Sequence, residues 1–175
     1  MSQSLGKVYL VGAGPGAADL ITVRGMKLLQ TAEIVFHDAL VDPAMLDYCS
    51  QALSIPVGKR CGRHSAAQSF INKRLIDASR KYKHIVRLKG GDPMIFGRAD
   101  EEITALESCG INVEVVPGIT AALAASASLK QSLTLRGVSR SVAFYTQVKA
   151  ENEQEASLPN ADTLVIYMGR SNSVQ

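Results

Sequence analysis

Residues 87–102 read RLKGGDPMIFGRADEE, and the reading of this stretch decides the fold. An apolar, β-branched run, HIVRLK from His84 to Lys89, leads into it; Gly90, Gly91 and Pro93 then break the run, and Asp100, Glu101 and Glu102 open a helical pattern. A strand that ends in glycines and turns into a helix is the repeating unit of an α/β sheet. Taken alone, the same residues also fit a phosphate loop beside a charged helix, so the remainder of the chain has to discriminate.

Outward from this point the pattern repeats. KVYLVG (7–12), EIVFHD (33–38), LSIPVG (53–58) and NVEVV (112–116) read as further strands, and SAAQSFINKRLIDASRKYK (65–83) reads as a helix opened by a capping box from Ser65 to Gln68, with Phe70, Leu75 and Ala78 among its apolar positions. Strand, helix and strand in alternation predict an α/β fold with a parallel sheet covered on both faces. Ligands of such sheets bind beyond the carboxyl ends of the strands. VGAGPG, FHDAL, VGKR, LKGGDP and VVPGIT all follow strands, so function is expected there.

The character of the chain changes at Val116-Pro117-Gly118, a turn signal. A nearly all-small helix, ITAALAASAS, follows, capped by Thr120 or a neighbour, and then two more strands, SVAFYTQV and TLVIYMG, joined by the polar loop AENEQEASLPN. This predicts two α/β domains: residues 1–116 with the parallel sheet, and residues 117–175 as an incomplete C-terminal domain of a longer protein or one completed by another chain.

The 175 residues are 46% apolar and carry a net charge of +3, with a pI near 8.8. That is ample for a packed core and too mild for a general nucleic-acid binder. No apolar run approaches the ~18 residues of a bilayer span, and no signal-peptide pattern is present, so the expected compartment is the cytoplasm. Cys49, Cys61 and Cys109 are odd in number and widely spaced, which argues against a disulfide framework. Cys61 and His64 lack a second pair to complete a metal tetrahedron, so no metal is expected. The basic residues cluster in GKRCGRH and LRGVSR, a pattern suited to a small polyanion or to a solvated loop.

VGAGPGA (11–17) satisfies the dinucleotide pattern through Gly12, Gly14 and Ala17, and Asp38 ends the next strand where a ribose-binding acid belongs. A nicotinamide or flavin oxidoreductase is therefore one reading. Against it, a pyrophosphate loop runs directly into its helix, whereas the first good caps here, Asp19 and Thr22, come late, and Pro15 removes an amide.

In order along the chain, VGAGPGAADLIT, HDALV, VGKRCGRHSAAQSFIN, RLKGGDPMIFGRADEE, VVPGITAA, LTLRG and YMG give the sequence from about Lys7 to Gly169 a resemblance to the tetrapyrrole methylase family. It is most similar to the uroporphyrinogen-III C-methyltransferase branch, which includes the methylase part of siroheme synthase. The resemblance implies two α/β domains with S-adenosylmethionine (SAM) in the cleft between them. It further implies a homodimer and methyl transfer to carbons 2 and 7 of uroporphyrinogen III; the mild charge and the lack of a bilayer-length apolar run lead to an expectation of no nucleic-acid or membrane partner. The product would be precorrin-2, on the way to siroheme, cobalamin or haem d1. Carried over by motif, the resemblance puts Pro15, Gly90, Gly91, Asp92, Ile95, Thr120, Ala121 and Met168 at the cofactor, with Lys89 to Ile95 facing SAM. Asp38 falls on the general base and Lys59 on the general acid; Arg98, Glu101 and Arg136 face the tetrapyrrole. The family's GIPLTHR is KQSLTLR here, so Leu135 stands for a histidine, and its TGH is Thr146-Gln147-Val148. These departures leave open a fragment retained only as a binding module.

Overall fold

The structure is a computed structural model that describes residues 4–57, 64–146, 148 and 157–169. The chain forms two compact units, Met1–Ala121 and Ala122–Gln175. The change of unit therefore falls at the start of the small-residue helix, a few residues beyond the Pro117 turn.

The first unit holds five parallel strands: β1 (Lys7–Gly12), β2 (Ile34–His37), β3 (Leu53–Pro56), β4 (His84–Lys89) and β5 (Val113–Val116). Their spatial order is β3-β2-β4-β1-β5. Lys7 pairs with His84 and Gly12 with Lys89, so β1 and β4 end level with one another. β4 and β1 are central and buried along most of their length, as a sheet covered on both faces requires. Edge strand β3 is largely exposed and ends in Pro56, a residue that edge strands tolerate.

Three helices cover this sheet: α1 (Val23–Thr31), α2 (His64–Ser79) and α3 (Ala99–Glu107). Alternate residues along the strands divide the core in two. Val8, Leu10, Ile34, Phe36 and Ile85 pack with Ile71, Leu75 and Ala78 of α2 and Leu106 of α3. Val11, Val35, Val86, Leu88 and Val116 pack on the other face with Leu29 of α1, and with Met45 and Cys49 of the 3-10 helix Pro43–Cys49. Strand alternation thus sends successive side chains into two separate apolar clusters, one on each face of the sheet. Among the apolar positions expected on α2, Phe70 is an exception, 55% exposed with the Arg74 guanidinium 5.5 Å from its ring centroid. Helix α2 also ends at Ser79, short of the expected Lys83, and the expected capping box at Ser65 lies outside the described side chains.

At the carboxyl ends of the central strands, three glycine loops touch. A Cβ on Gly12 would lie 2.6 Å from Gly118 Cα, and one on Gly118 would lie 2.2 Å from the Gly91 carbonyl oxygen. Neither approach is possible for a side chain, because the obstructing atoms are backbone.

In the second unit, α4 (Ala121–Leu129) precedes the parallel strands β6 (Val142–Thr146) and β7 (Thr163–Tyr167). The Asp162 carboxylate accepts from the Arg140 amide and from the Ser141 amide and hydroxyl, which ties the entries of the two strands together. Neither strand contains a fully buried residue.

Two stability predictions follow from these contacts. Gly118→Ala should cost about 1–3 kcal/mol by overpacking and lower Tm by several degrees, whereas Gly110→Ala, with open space around it, should show only the smaller cost of its positive φ. His84 packs against Tyr9 with ring centroids 4.6 Å apart and the rings tilted by 47°, its buried Nε2 has no hydrogen-bond partner among the described residues, and burial holds it below its ordinary value of 6.5. A base whose folded value is depressed contributes stability that is complete above the unfolded value and is lost as pH falls below it. Stability should therefore decline below about pH 6.5, and His84→Phe should flatten that decline in denaturant titrations at pH 5 and pH 7.5.

Candidate functional site

The glycine loop after β1 is locked to the loop after β4. The Ala13 amide donates to the Lys89 carbonyl at 2.7 Å and the Gly14 amide to the Gly91 carbonyl at 3.1 Å, while the Gly91 amide donates back to the Gly14 carbonyl at 2.8 Å. Beyond them come the short 3-10 turn Ala18–Leu20 and then α1, capped by Thr22, whose side chain accepts from the Gly25 amide. Two amides of the loop are thus engaged, and the helix starts several residues after the glycines. A pyrophosphate cradle needs free amides at a helix N-terminus, so the dinucleotide reading fails on geometry.

Asp92 connects the third loop. Its Oδ1 accepts from the Met94 amide at 2.8 Å and its Oδ2 from the Gly118 amide at 2.9 Å. Expected as a cofactor ligand, Asp92 is in this structure first a clamp, with both carboxylate oxygens already accepting from backbone. Downstream, Phe96 (φ 50°) and Arg98 (φ 55°) both adopt the left-handed conformation that non-glycine residues avoid, and Gly97 between them leaves no room for a Cβ, which would lie 2.5 Å from the Pro93 carbonyl oxygen. Such conformations cost of order 1–3 kcal/mol each and persist where the surroundings impose them. Gly90 is exposed and Gly91 (φ 66°) half-buried, so the backbone at the strand mouth is bare. Pro15, in the loop after β1, and Ile95, in the loop after β4, are half-buried, Thr120 is buried, and Ala121 is exposed at the start of α4.

Behind this platform runs a chain of charge. Arg87 and Lys89 lie two apart on β4 and face α3, where Glu102 is fully buried. Arg87 Nε donates to Glu102 Oε1 at 3.1 Å, and Lys89 Nζ donates to Glu102 Oε2 at 3.0 Å. The other arm of the Arg87 guanidinium donates to Asp38 Oδ1 at 2.5 Å. Gln68 of α2 donates to Glu102 Oε1 at 3.1 Å and to Asn72 Oδ1 at 3.0 Å. Asp38, immediately after β2, keeps 32% of its side chain exposed, against 3% for Arg87 and Lys89 and none for Glu102. Burial works against the Arg87 cation, but the carboxylates of Glu102 and Asp38 outweigh it and hold the guanidinium above its ordinary value. For Lys89 burial wins, assisted by Arg87, and its ammonium is pushed below the usual range.

Asp38 is thus an oriented, half-exposed carboxylate at the carboxyl end of the sheet, capable of receiving a proton from a molecule on the solvent side. Lys89, expected among the residues facing the cofactor, has its side chain buried against Glu102. Arg87 and Glu102 are not among the expected site residues, and Lys89 is expected there only as part of the glycine motif. Their signal was two cations at i and i+2 in a central strand, where a buried charge must find a partner.

Arg98 and Glu101 form a bidentate pair at the start of α3, 2.5 Å between Nε and Oε1 and 2.7 Å between Nη2 and Oε2, which holds the carboxyl low and the guanidinium high. Both are exposed. In the second unit, Arg136 sits exposed in a tight turn closed by Leu135 and Ser139, whose amides donate to each other's carbonyls at 3.0 and 2.8 Å. Leu135 is itself 56% exposed. Met168 (φ 56°) follows β7 and is 51% exposed. Lys59, the expected general acid, lies outside the described residues, as do Arg60, Cys61, Arg63 and Gln147. No cluster of metal-ligating side chains occurs among the described residues.

Residues 7–175 match the family model of tetrapyrrole (corrin/porphyrin) methylases. A uroporphyrinogen-III C-methyltransferase of Synechocystis sp. is 49% identical over 172 residues, covering 94% of this chain and 65% of that protein. A siroheme synthase of Pseudomonas putida is 48% identical over 174 residues, covering 95% of this chain and 37% of that one. The chain therefore spans from about a third to about two thirds of these relatives' length. Among solved structures, a uroporphyrin-III C-methyltransferase of Thermus thermophilus complexed with S-adenyl homocysteine superposes with a TM-score of 0.78 at 36% identity, over 95% of this chain and 68% of that one. With the fold, the strand-end loops and the match over nearly its whole length in agreement, this chain belongs to the tetrapyrrole (corrin/porphyrin) methylase family.

Proposed function

We propose that this chain carries the methyl-transfer site of a uroporphyrinogen-III C-methyltransferase, which uses SAM to methylate carbons 2 and 7 of uroporphyrinogen III and releases precorrin-2. One observation carries the reading: a half-exposed carboxylate, Asp38, is held by a buried arginine beside a platform of bare glycine backbone at the carboxyl end of a parallel sheet. The names of the relatives supply the reaction.

The residues present suit SAM. Gly90 and Gly91 leave backbone open to close approach, and a side chain at 91 would fill the space toward Thr120, whose Cα lies 3.8 Å from where its Cβ would be. In this reading Pro15, Gly90, Gly91, Asp92, Ile95, Thr120, Ala121 and Met168 hold the cofactor. When bound, it supplies an electrophilic methyl, so positioning is the main task left to the protein. Asp38 takes the proton that the substrate ring loses once methylated, and Lys59 acts as the acid. Arg98, Glu101 and Arg136 meet the tetrapyrrole, whose several carboxylates suit the basic loops GKRCGRH and LRGVSR. The protein acts as a homodimer in the cytoplasm, with neither nucleic acid nor membrane as partner; among the described residues no helix is long and apolar enough to cross a membrane.

Incubated with methyl-labelled SAM and uroporphyrinogen III, the protein in its complete reading frame should yield labelled precorrin-2. An unlabelled tetrapyrrole, or binding without turnover, would sink the assignment. Asp38→Asn should lower kcat by about 10²–10⁴, the usual range for a general base, while leaving S-adenosylhomocysteine affinity within about threefold. Equal losses in both would assign Asp38 to folding or binding instead.

A further inference from the structure

The Asp38 carboxylate does not sit in the site by itself. It is the exposed end of a four-membered chain, Asp38–Arg87–Glu102–Lys89, whose other three members are buried. Formal charges alternate along it and sum to zero. Each link is a charge-assisted hydrogen bond of 2.5 to 3.1 Å. Asp38 is the one member with substantial access to solvent, so a proton entering the chain from a substrate enters there.

We propose that Glu102 and Lys89 are positioning residues that set, through Arg87, how readily Asp38 accepts a proton, and so tune the base without touching substrate. This rests on the reading of Asp38 as the base. The argument is electrostatic. Arg87 shares its positive charge between two carboxylates, Asp38 at one arm and Glu102 at the other. Glu102 in turn shares its negative charge between Arg87 and Lys89. If Glu102 is neutral, Arg87 presents its whole charge to Asp38 and stabilises the carboxylate, making a weaker base. Without the Lys89 cation, Glu102 draws more of the Arg87 field, and Asp38 becomes the stronger base. In a water-poor interior such changes are poorly screened over one intervening side chain. Gln68 supports the arrangement from α2 by donating to Glu102, and its own carboxamide is neutral, so it fixes geometry without altering the charge.

The two substitutions therefore have opposite signs, which a purely structural role cannot produce. In the protein in its complete reading frame, Glu102→Gln should move the acid limb of kcat/KM to lower pH and Lys89→Met should move it to higher pH. Each displacement should be about half a pH unit or more, roughly threefold in proton binding, with S-adenosylhomocysteine affinity changed by less than about threefold. Carbon-13 titration of the Asp38 carboxyl in the same variants reads the coupling without turnover and should follow the same opposite displacements. Two variants that lose activity and Tm together, with an acid limb that stays in place or moves in one direction for both, overturn the proposal. Should Glu102→Gln fail to fold, the sign for Lys89→Met decides alone, since it replaces the ammonium with an apolar side chain of similar length and leaves Glu102 its bonds from Arg87 and Gln68. Failure of the underlying reading looks different: the carbon-13 displacements persist, but Asp38→Asn leaves the acid limb untouched.

Discussion

Gly12, Gly91 and Gly118 meet backbone to backbone, and everything at the carboxyl end of the sheet depends on that meeting. The loops that follow β1, β4 and β5 belong to different parts of the sequence, yet a Cβ at Gly12 or Gly118 would lie within 3 Å of another loop's main chain. Because no side chain separates them, the loops can exchange amide and carbonyl groups directly, as Gly14 and Gly91 do, and Asp92 can reach the Gly118 amide. The result is a rigid floor made of backbone. It costs flexibility in the unfolded chain, since glycine loses the most conformational freedom on folding, and the hydrogen bonds across the floor offset part of that loss.

The strand that leads into Gly90 and Gly91, β4, carries the cations of the charge chain. Burying a lone arginine or lysine in a sheet core is prohibitive, and removing one partner from a buried pair typically costs 3–5 kcal/mol. Glu102 makes both cations tolerable at once by giving one oxygen to each. A buried ion pair is weak evidence for stability, because apolar residues of the same volume would serve as well or better. Its presence here points to what apolar residues could not provide, a fixed orientation and a defined field for Asp38 at the exposed end.

Much of this was legible in the sequence. Near-continuous burial of KVYLVG and HIVRLK in a sheet covered on both faces, glycines at strand ends, and a displaced cap at Thr22 all appear in the structure where the pattern put them. What escaped the reading has a common cause. Within ADEE, adjacent acids are separated by about 100° on a helix, so Glu101 faces solvent and pairs with Arg98 while Glu102 enters the core; nothing local distinguishes them without the position of the sheet. Strand alternation places Lys89 on the face of Ile85 and Arg87, which its neighbours in the glycine motif do not reveal. Asp92 carries the same lesson in reverse, a motif residue whose carboxylate is engaged by amides of its own loop and of a loop more than twenty residues away.

Magnitudes separate the two arginine–glutamate pairs of this short stretch. Arg98–Glu101 is exposed, and such a pair contributes about 0.2–1 kcal/mol even when well formed. A polycarboxylate arriving at the strand ends can therefore compete for the Arg98 fork at little cost, and the Arg98 conformation, already left-handed, directs the start of α3. Arg87–Glu102 is buried, and breaking it would strand an unpaired charge in the core. The stretch from Arg87 to Glu102 thus holds one ion pair that can exchange with a ligand and one that cannot. The inner pair, through Arg87, also holds the Asp38 carboxylate in place, while the outer pair lies at the exposed start of α3.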